Sequence, residues 1–300
     1  MKQLFIQLNA VVVLLLAISF HCMGADTYTL KYNLEKGKTY KQHSITEMNM
    51  KMNAMGQDME INMIMSIDIN YDVTDKTSDG YELQMSYRRI KINMTSQTAY
   101  ILDSDSTGNA SDKNNAELLR SLIDVPIDIQ MTEQGKVTSV KGVDKLMEKI
   151  NTTSNQQFKQ MFSQQFSETT IQQMIEQFSS YLPDKPVAIN DSWNVDNTIN
   201  ANGVDIINKI TLTLKQVTDN VAAIDLTGTL ATQEGGSNIK VQGMDAKISA
   251  NGTQSGTIQL NTKNGWIVRT EITQKYLQNI EVMGQSMPQQ MNFKTTVTGE

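Results

Sequence analysis

The feature that most constrains the fold of this chain is a run of methionines on alternate positions. Seven methionines lie between Met48 and Met65. Because successive side chains of a β-strand point to opposite faces, this spacing predicts a half-buried β-hairpin with one wall of thioethers. Methionine is unbranched and polarizable, so such a wall is either a soft core or a lining that adapts to an irregular apolar guest. The residues on the apolar parity are Met48, Met50 and Met52 in the first strand and Met59, Ile61, Met63, Met65, Ile67, Ile69, Tyr71 and Val73 in the second.

The N-terminus has the layout of a secretory signal peptide. A lysine precedes the apolar stretch Ala10–Phe20, and small residues follow it. The stretch is too short for a good membrane span, so we predict a signal peptide over residues 1–25, cleaved near Gly24 or Ala25. The mature protein is then exported, either periplasmic or associated with the outer membrane, and it has no transmembrane span.

A lipid anchor at Cys22 is the competing interpretation of this segment. Lipoprotein signals place small residues before the cysteine, whereas Phe20 and His21 precede it here. Motif matches of this kind are hypotheses, and we favour simple cleavage over the anchor.

Charge and residue chemistry exclude several classes of function. The chain has 26 basic and 32 acidic residues, a formal charge of −6, and no basic stripe, so we predict no nucleic-acid partner. Signal cleavage would remove the single cysteine and leave His43, on the polar parity of its strand, as the only histidine. Without disulfides the fold must rest on burial alone. No nucleophile elbow, zincin motif or phosphate loop is present, so we predict a non-enzymatic protein without a cofactor.

Short sequence echoes link the two ends of the chain. The pairs are Gly37–Tyr40 with Asn190–Trp193, Val73–Asp75 with Val217–Asp219, Ile129–Met131 with Ile258–Leu260, and Met55–Met59 with Met283–Met287. We prefer an ancient duplication as their origin. The alternative is that antiparallel meanders reuse the same turn chemistry.

These patterns predict a mainly β (α+β) fold. We expect a large curved antiparallel sheet or half-barrel from two related meanders, with a helical segment packed on its apolar face. The first meander, with short helices, covers residues 26–150, the helical segment 151–182, and the second meander 183–300, and residues 26–300 form one compact unit. Several predicted strands exceed ten residues, which favours a large curved sheet over a compact sandwich.

Local signals give more detailed expectations for the strands. Tyr28–Leu34 is predicted to be a strand, and Ile239–Ala250 a strand separate from Thr257–Leu260. The apolar parity changes at Arg88–Arg89, which predicts a β-bulge. Asn264–Gly265 is a strong hairpin signal.

Helical periodicity interrupts the strands in the middle of the chain. Apolar residues at spacings of three and four predict helices over Asn115–Asp124, Val143–Ile150 and Phe158–Leu182. Thr169 and Gln172 have the spacing of a capping box, so the last region is predicted to contain two consecutive helices. Each helix has one apolar stripe and a polar back, and we expect the stripe to face the sheet.

Two motifs admit a metal ion as a lower alternative. Thioethers prefer Cu(I), but alternate methionines of one strand lie about 7 Å apart, and no His or Cys in the hairpin completes a ligand shell. The loop Asp103–Asn109 is similar to a calcium-binding loop, although its twelfth position is Asn114 rather than Glu. We favour a polar turn for this loop and assign no metal-binding residue.

Three segments resemble an uncharacterised family of exported Bacteroidota proteins. They are Leu34–Tyr40, Gly135–Gly142 and Ala188–Trp193. The resemblance covers most of the mature chain, and it implies compartment and fold but no activity. More loosely, long strands around apolar helices resemble the half-barrel lipoprotein carriers of bacterial envelopes, which shelter acyl chains.

The leading functional hypothesis is a non-enzymatic envelope protein that binds an apolar ligand, such as a lipid or an acyl chain. The runner-up is a structural or protein-interaction module with an envelope partner and no small ligand, and Cu(I) or calcium binding ranks below both. The residues predicted to line the apolar site are Met48, Met50, Met52, Met63, Met65, Phe162, Phe166 and Phe178.

Overall fold

The computed structural model describes residues 26–54, 57–96, 98–105, 113–152, 159, 167–201, 203–241 and 244–300. The predicted signal peptide, residues 1–25, lies outside these described residues. Strands dominate the described part of the chain and helices are few, so the predicted mainly β fold is confirmed.

The strands and helices follow one another with a helical middle. The strands before it are β1 (Thr27–Tyr28), β2 (Thr39–Ala54), β3 (Gln57–Thr77), β4 (Gly80–Thr95), β5 (Ala99–Asp103), β6 (Ile127–Met131) and β7 (Val137–Lys141). The helices are α1 (Lys113–Ser121), α2 (Val143–Asn151) and α3 (Glu168–Ser179). The later strands are β8 (Val187–Ala188), β9 (Ser192–Ala201), β10 (Val204–Thr218), β11 (Val221–Thr232), β12 (Ser237–Val241), β13 (Met244–Asn261), β14 (Ile267–Val282) and β15 (Gln285–Gly299).

All but two of these strands form one 13-stranded sheet that does not close. Its main path runs β7-β6-β4-β3-β2-β15-β14-β13-β11-β10-β9, while β5 pairs with β4 and β12 with β13. Every pairing is antiparallel, and β1 and β8 form a small separate ladder. The two meanders meet where β2 pairs with β15, so the first and last long strands form the seam of the sheet.

The strand order indicates that the two meanders are related. The order β7-β6-β4-β3-β2 in the first half corresponds to β14-β13-β11-β10-β9 in the second, and β15 is the additional strand between them. The turns that lead into β2 and β9 also match. The Gly37–Lys38 turn exchanges two backbone hydrogen bonds with Val73, and the Asn190–Asp191 turn makes the same exchange with Leu214. Gly37 and Asn190 both have positive φ, 81° and 73°.

β-Bulges fall at equivalent places in the two halves. The pairing register shifts just after Val73 in β3 and just after Leu214 in β10. It shifts again where β6 pairs with β7, which leaves Thr138 as an extra residue of β7, and where β13 pairs with β14, which leaves Val268 as an extra residue of β14. Because an extra residue bends the strand that carries it, the halves share their bends as well as their order.

The structure separates meaningful sequence echoes from chance ones. Gly37–Tyr40 and Ile129–Met131 occupy the same places as their counterparts in the second half. Val73 is equivalent to Leu214 and not to Val217, so that echo is three residues out of register. Met55–Met59 and Met283–Met287 are also not equivalent, because the first segment joins β2 to β3 and the second joins β14 to β15.

The N-terminal segment corrects one prediction. Only the start of Tyr28–Leu34 is a strand, although the predicted alternation is present, with Leu30, Tyr32 and Leu34 buried. The amide of Tyr32 donates to the carbonyl of Glu133 at 2.7 Å, and that of Asn33 donates to Asn264 at 2.9 Å. The segment therefore lies between the equivalent turns β6–β7 and β13–β14. It buries its apolar side without joining the sheet.

Two further local predictions were wrong. β12 ends at Val241, and β13 runs unbroken from Met244 to Asn261, because Gly252 and Gly256 keep the strand conformation and make no turn. The N-cap of α3 is Ser167 rather than Thr169. The extended Ser167 accepts a hydrogen bond at its Oγ from the Thr170 amide at 3.1 Å, which is the bond an N-cap side chain makes.

Other local predictions are confirmed. Asp68 pairs with Arg89 and Ile69 with Tyr87, which leaves Arg88 as the extra residue of a bulge. Asn264–Gly265 lies in the β13–β14 turn, where Gly265 has a φ of +72°.

The helix α3 shows that the sheet is strongly curved. Flat, the main path would be about 48 Å wide, since neighbouring strands lie about 4.8 Å apart. Yet Val137 of the edge strand β7 bonds the side chains of Gln172 and Glu176 in α3, while Trp193 of the opposite edge donates to the carbonyl of Tyr181 at 2.8 Å. As α3 is only about 18 Å long, the two edges must come close together.

The main core lies inside this curve. It contains buried residues from strands of both meanders, from the three helices and from the N-terminal segment. A smaller, separate apolar cluster in the second meander contains Ile206, Leu230 and Ile248.

Candidate functional site

The inner face of the sheet is the face that carries the main core, and the predicted methionines lie on it. Side chains directly opposite each other in a sheet share a face. Met48 is opposite Met63, Thr46 is opposite Met65, and Met50 is opposite Met291. The five methionines are partly buried, in contrast to the fully buried residues further along the same strands.

A cleft of about 280 Å³ lies between α3 and the inner face at the seam of the two meanders. We call it the inner cleft. It is lined by Gln42, Ser44, Thr46, Met65, Ile67, Ile69, Tyr71, Met174, Gln274, Phe293 and Thr295. Among the predicted lining residues that the structure describes, Met65 contributes to it directly.

The cleft has one apolar and one polar wall. Alternate residues of β3 form the apolar wall, from Met65 to Tyr71, and Met174 of α3 lies across from it. The hydroxyl of Tyr87 in β4 donates to the sulfur of Met174 at 3.8 Å, which ties the helix to the sheet. The polar wall consists of hydroxyl and amide side chains from β2, β14 and β15.

Hydrogen bonds hold the polar wall in place. Thr46 and Thr295 lie opposite each other on β2 and β15, and their hydroxyl oxygens are 3.2 Å apart. The hydroxyl of Ser44 donates to the carbonyl of Ile67 at 3.5 Å. Gln42 is buried at the inner end of the wall.

A ladder of amide side chains leads from this wall into the sheet. Nε2 of Gln274 donates to Oε1 of Gln254 at 3.0 Å, and Nε2 of Gln254 donates to Oδ1 of Asn208 at 2.5 Å. Gln254 and Asn208 are each only 4 % exposed. The ladder crosses β11 at Gly228, where a Cβ would lie 3.0 Å from Nε2 of Gln254 and 2.4 Å from a backbone oxygen. A side chain at this position would therefore obstruct the ladder.

A wider cleft, about 370 Å³, lies on the outer face of the seam and has a different character. His43 contacts Asp68 there, with Lys41, Arg88 and Glu300 around the pair. The His43 and Asp68 side chains are 44 % and 38 % exposed. These charges are solvated, whereas none of the described residues that line the inner cleft is charged.

The other predicted site residues either do not line the inner cleft or lie outside the described residues. Met48, Met50, Met52 and Met63 continue the inner face beyond the cleft. Phe162 and Phe166 lie outside the described residues, and for Phe178 only the backbone, in α3, is described.

Sequence reasoning missed the polar wall although its signal was present. Gln42, Ser44 and Thr46 have the same parity as Met48 and the methionines after it. Since that parity faces inward, these polar residues had to face inward too. By contrast, the contact of Gln254 with Asn208 depends on the register across three strands and has no local signal.

The predicted calcium loop begins with a carboxylate that already has a partner. Arg89 donates to Asp103 from Nε at 3.2 Å and from Nη2 at 2.8 Å. Partial burial acts to raise the pKa of Asp103, but the hydrogen bonds from Arg89 and the Asp105 amide and the charges of Arg89 and Lys91 outweigh it and hold the pKa below its usual value. Within the described residues, no three His, Cys, Asp or Glu side chains cluster as a metal site would require. Part of this loop, residues 106–109, lies outside the description.

Comparison with known families identifies the family of this chain. Residues 78–267 match the model of a family of unknown function, DUF6263. The chain belongs to this family. The DUF6263 match runs from the β3–β4 turn to the start of β14, so it does not include β2, β3 or β15, which supply most of the inner cleft. The predicted membership in an uncharacterised family is confirmed.

Comparisons of this DUF6263 protein with curated proteins and with solved structures do not indicate a function. No curated protein matches it. Crystal structures of Pseudomonas aeruginosa OpdQ and OccK8 (OprE) each share 6 % identity with it over 88 % of its length, covering 99 % and 98 % of those chains. The TM-scores are 0.20 and 0.17, so neither likeness bears on the fold or the function. In the described residues, no helix has the length and apolar character needed to cross a membrane.

Proposed function

We propose that this protein is a non-enzymatic exported protein that binds an apolar ligand, such as a lipid or an acyl chain, in the inner cleft. The observation that carries the proposal is the gap between α3 and the seam strands, which has an apolar wall from Met65 to Tyr71. Ligand sites are mostly apolar concavities with a few placed polar groups, and volumes of about 300–1,000 Å³ are usual. The inner cleft has this composition, and its volume of about 280 Å³ is just below that range.

The partly buried methionines support an elongated ligand. Met63 and Met48 continue the inner face from the cleft toward the β2–β3 turn, and Phe293 lies beside Met48 on β15. From Met65 to Met59 the strand extends about 20 Å. A flexible chain bound in the cleft could therefore extend along these thioethers, which adapt to irregular apolar shapes.

Native mass spectrometry on protein purified from its own host tests the proposal. We expect a bound mass of lipid size that is released by organic solvent. The variant Met65→Glu places a carboxylate in the apolar wall and should lose the bound mass, because an unpaired charge there is costly to bury.

The matched control is Met283→Glu, since Met283 is 85 % exposed in the β14–β15 turn. It introduces the same charge and should keep the ligand. A clean apo mass for the wild type, with no uptake of added lipid, would contradict the proposal and favour the structural or protein-interaction role. Circular dichroism of both variants shows whether a lost mass reflects unfolding.

A further inference from the structure

We infer that the inner cleft selects amphiphiles with an uncharged, hydrogen-bonding head, such as a monoacylglycerol, over fatty-acid anions with the same chain. This inference rests on the proposed function and specifies its ligand class. The structural basis is the polar wall, where Ser44, Thr46 and Thr295 present hydroxyls and Gln274 presents an amide beside the apolar wall.

The charge of the cleft decides between ionic and neutral heads. None of the described lining residues is a lysine, arginine or histidine that could pair with a carboxylate or phosphate. The basic groups at the seam, Lys41, His43 and Arg88, line the cleft on the outer face instead. Burying an anion without a partner is strongly unfavourable, whereas a hydroxyl needs only hydrogen bonds.

The amide ladder fixes which hydrogen bonds the wall can offer. Because Gln274 donates to Gln254, which in turn donates to Asn208, the amide of Gln274 is held in one orientation. Its Oε1 accepts no hydrogen bond from the described residues, so it remains an acceptor for a ligand hydroxyl. Gln254 and Asn208, which hold it, are buried and bonded, which makes this group pre-organised rather than mobile.

The hydroxyl pair offers the complementary chemistry. Thr46 and Thr295 bond each other at 3.2 Å, and a hydroxyl can both donate and accept. The wall therefore offers donors and acceptors together. That combination suits a diol or amide head, and it does not compensate a full negative charge.

Isothermal titration with decanoylglycerol and decanoate, both below their aggregation concentrations at neutral pH, tests the inference on the wild-type protein. The two probes have the same acyl chain and differ only in the head. We expect the neutral probe to bind at least about tenfold more tightly. Equal affinities, or tighter binding of decanoate, would overturn the inference while leaving the proposed function intact. Binding of neither probe would remove both.

Variants of Gln274 sharpen the test. Gln274→Leu should weaken decanoylglycerol about tenfold and leave decanoate unchanged, so the preference disappears. Gln274→Lys adds a cation to the wall and should tighten decanoate binding. Gln216→Lys is the control, since Gln216 is exposed on β10 and its side chain bonds only Thr218 among the described residues. A preference that survives in Gln274→Leu protein with a wild-type circular dichroism spectrum would contradict the role of the polar wall.

Discussion

The two ends of the inner face are built by the same strands but packed differently. At the closed end, around Tyr40, Tyr71 and Trp266, the inner face is covered. At the methionine end, around Met48, Met50 and Met63, the side chains are partly exposed. On β3 alone, Tyr71 is 5 % exposed and Met59 is 37 % exposed, although both belong to one alternating pattern.

The closed end owes its burial to segments far away in the sequence. The Trp266 ring lies 5.0 Å from Tyr40, 5.4 Å from Tyr71 and 6.4 Å from Tyr32, and its Nε1 donates to the carbonyl of Lys41. Tyr32 comes from the N-terminal segment, which spans the equivalent turns of both meanders. Burial also raises the pKa of Tyr32 and Tyr71 well above the usual tyrosine value, as expected for phenols without water.

Alternation along a strand therefore identifies the inward face but not how deeply that face is covered. Residue type carries part of the missing information. Rigid aromatic side chains fill the closed end, whereas flexible thioethers occupy the end that the described residues cover less. The inner cleft lies between these two regions, where the inward-facing residues of β2 are the polar Gln42, Ser44 and Thr46.

The largest expected effect comes from truncating the centre of the closed end. Trp266→Ala should lower the free energy of unfolding by about 3–5 kcal/mol, because it leaves a cavity among three tyrosines. Met63→Ala at the methionine end should cost only about 1 kcal/mol, since its side chain is already partly in water. Urea unfolding followed by circular dichroism measures both values. Equal losses would show that the methionine end is as well packed as the closed end.

Two glycines in turns provide the second test. Gly135, in the β6–β7 turn at the closed end, has a φ of +84°, and a Cβ there would lie 2.0 Å from the carbonyl oxygen of Ser179. Gly284, in the β14–β15 turn at the methionine end, has a φ of +77°, and apart from its chain neighbours no described residue lies within 4 Å of such a Cβ. Both Ala variants carry the cost of left-handed backbone, about 1–2 kcal/mol, but only Gly135→Ala adds a clash.

We therefore expect Gly135→Ala to lower the free energy of unfolding by about 3 kcal/mol and Gly284→Ala by about 1 kcal/mol. Thermal unfolding of the two variants beside the wild type gives the difference. A Gly284 variant as unstable as the Gly135 variant would mean that the methionine end is closed by contacts beyond those described.

The sequence predicted what depends on local periodicity. The parity change that marks the Arg88 bulge and the turn signal at Asn264–Gly265 are visible in a few residues, and both were confirmed. The alternation of Tyr28–Leu34 was also real, but whether such a segment joins a sheet depends on its distant hydrogen-bond partners. The strand prediction therefore failed there.

The candidate site was less predictable for the same reason. Met65 was identified because thioethers on one parity are conspicuous, while Gln42, Ser44 and Thr46 on that parity were overlooked. Met174 and Gln274 come from other elements, and only the curvature of the sheet brings them to β3. A cleft made by packing a helix onto a seam cannot be derived from either element alone.

The smallest expected change in stability is on the outer face of the sheet, where the charged side chains are solvated. Asp103→Asn removes the partner of Arg89 and should cost about 1 kcal/mol at pH 7, a modest value because the Arg89 side chain is 41 % exposed.

The sign of its pH dependence follows from the lowered pKa of Asp103. The extra stability of the wild type over the variant is fully present above the ordinary carboxyl pKa. It is lost as the pH falls through the lower folded-state pKa. The stability difference between wild type and variant should therefore shrink below about pH 4. Asp105→Asn, whose carboxylate lies 3.9 Å from Arg89 and is 56 % exposed, should show almost no difference at any pH. A difference for Asp103→Asn that stays constant down to acid unfolding would mean that the side chain acts through packing rather than through its charge pair with Arg89.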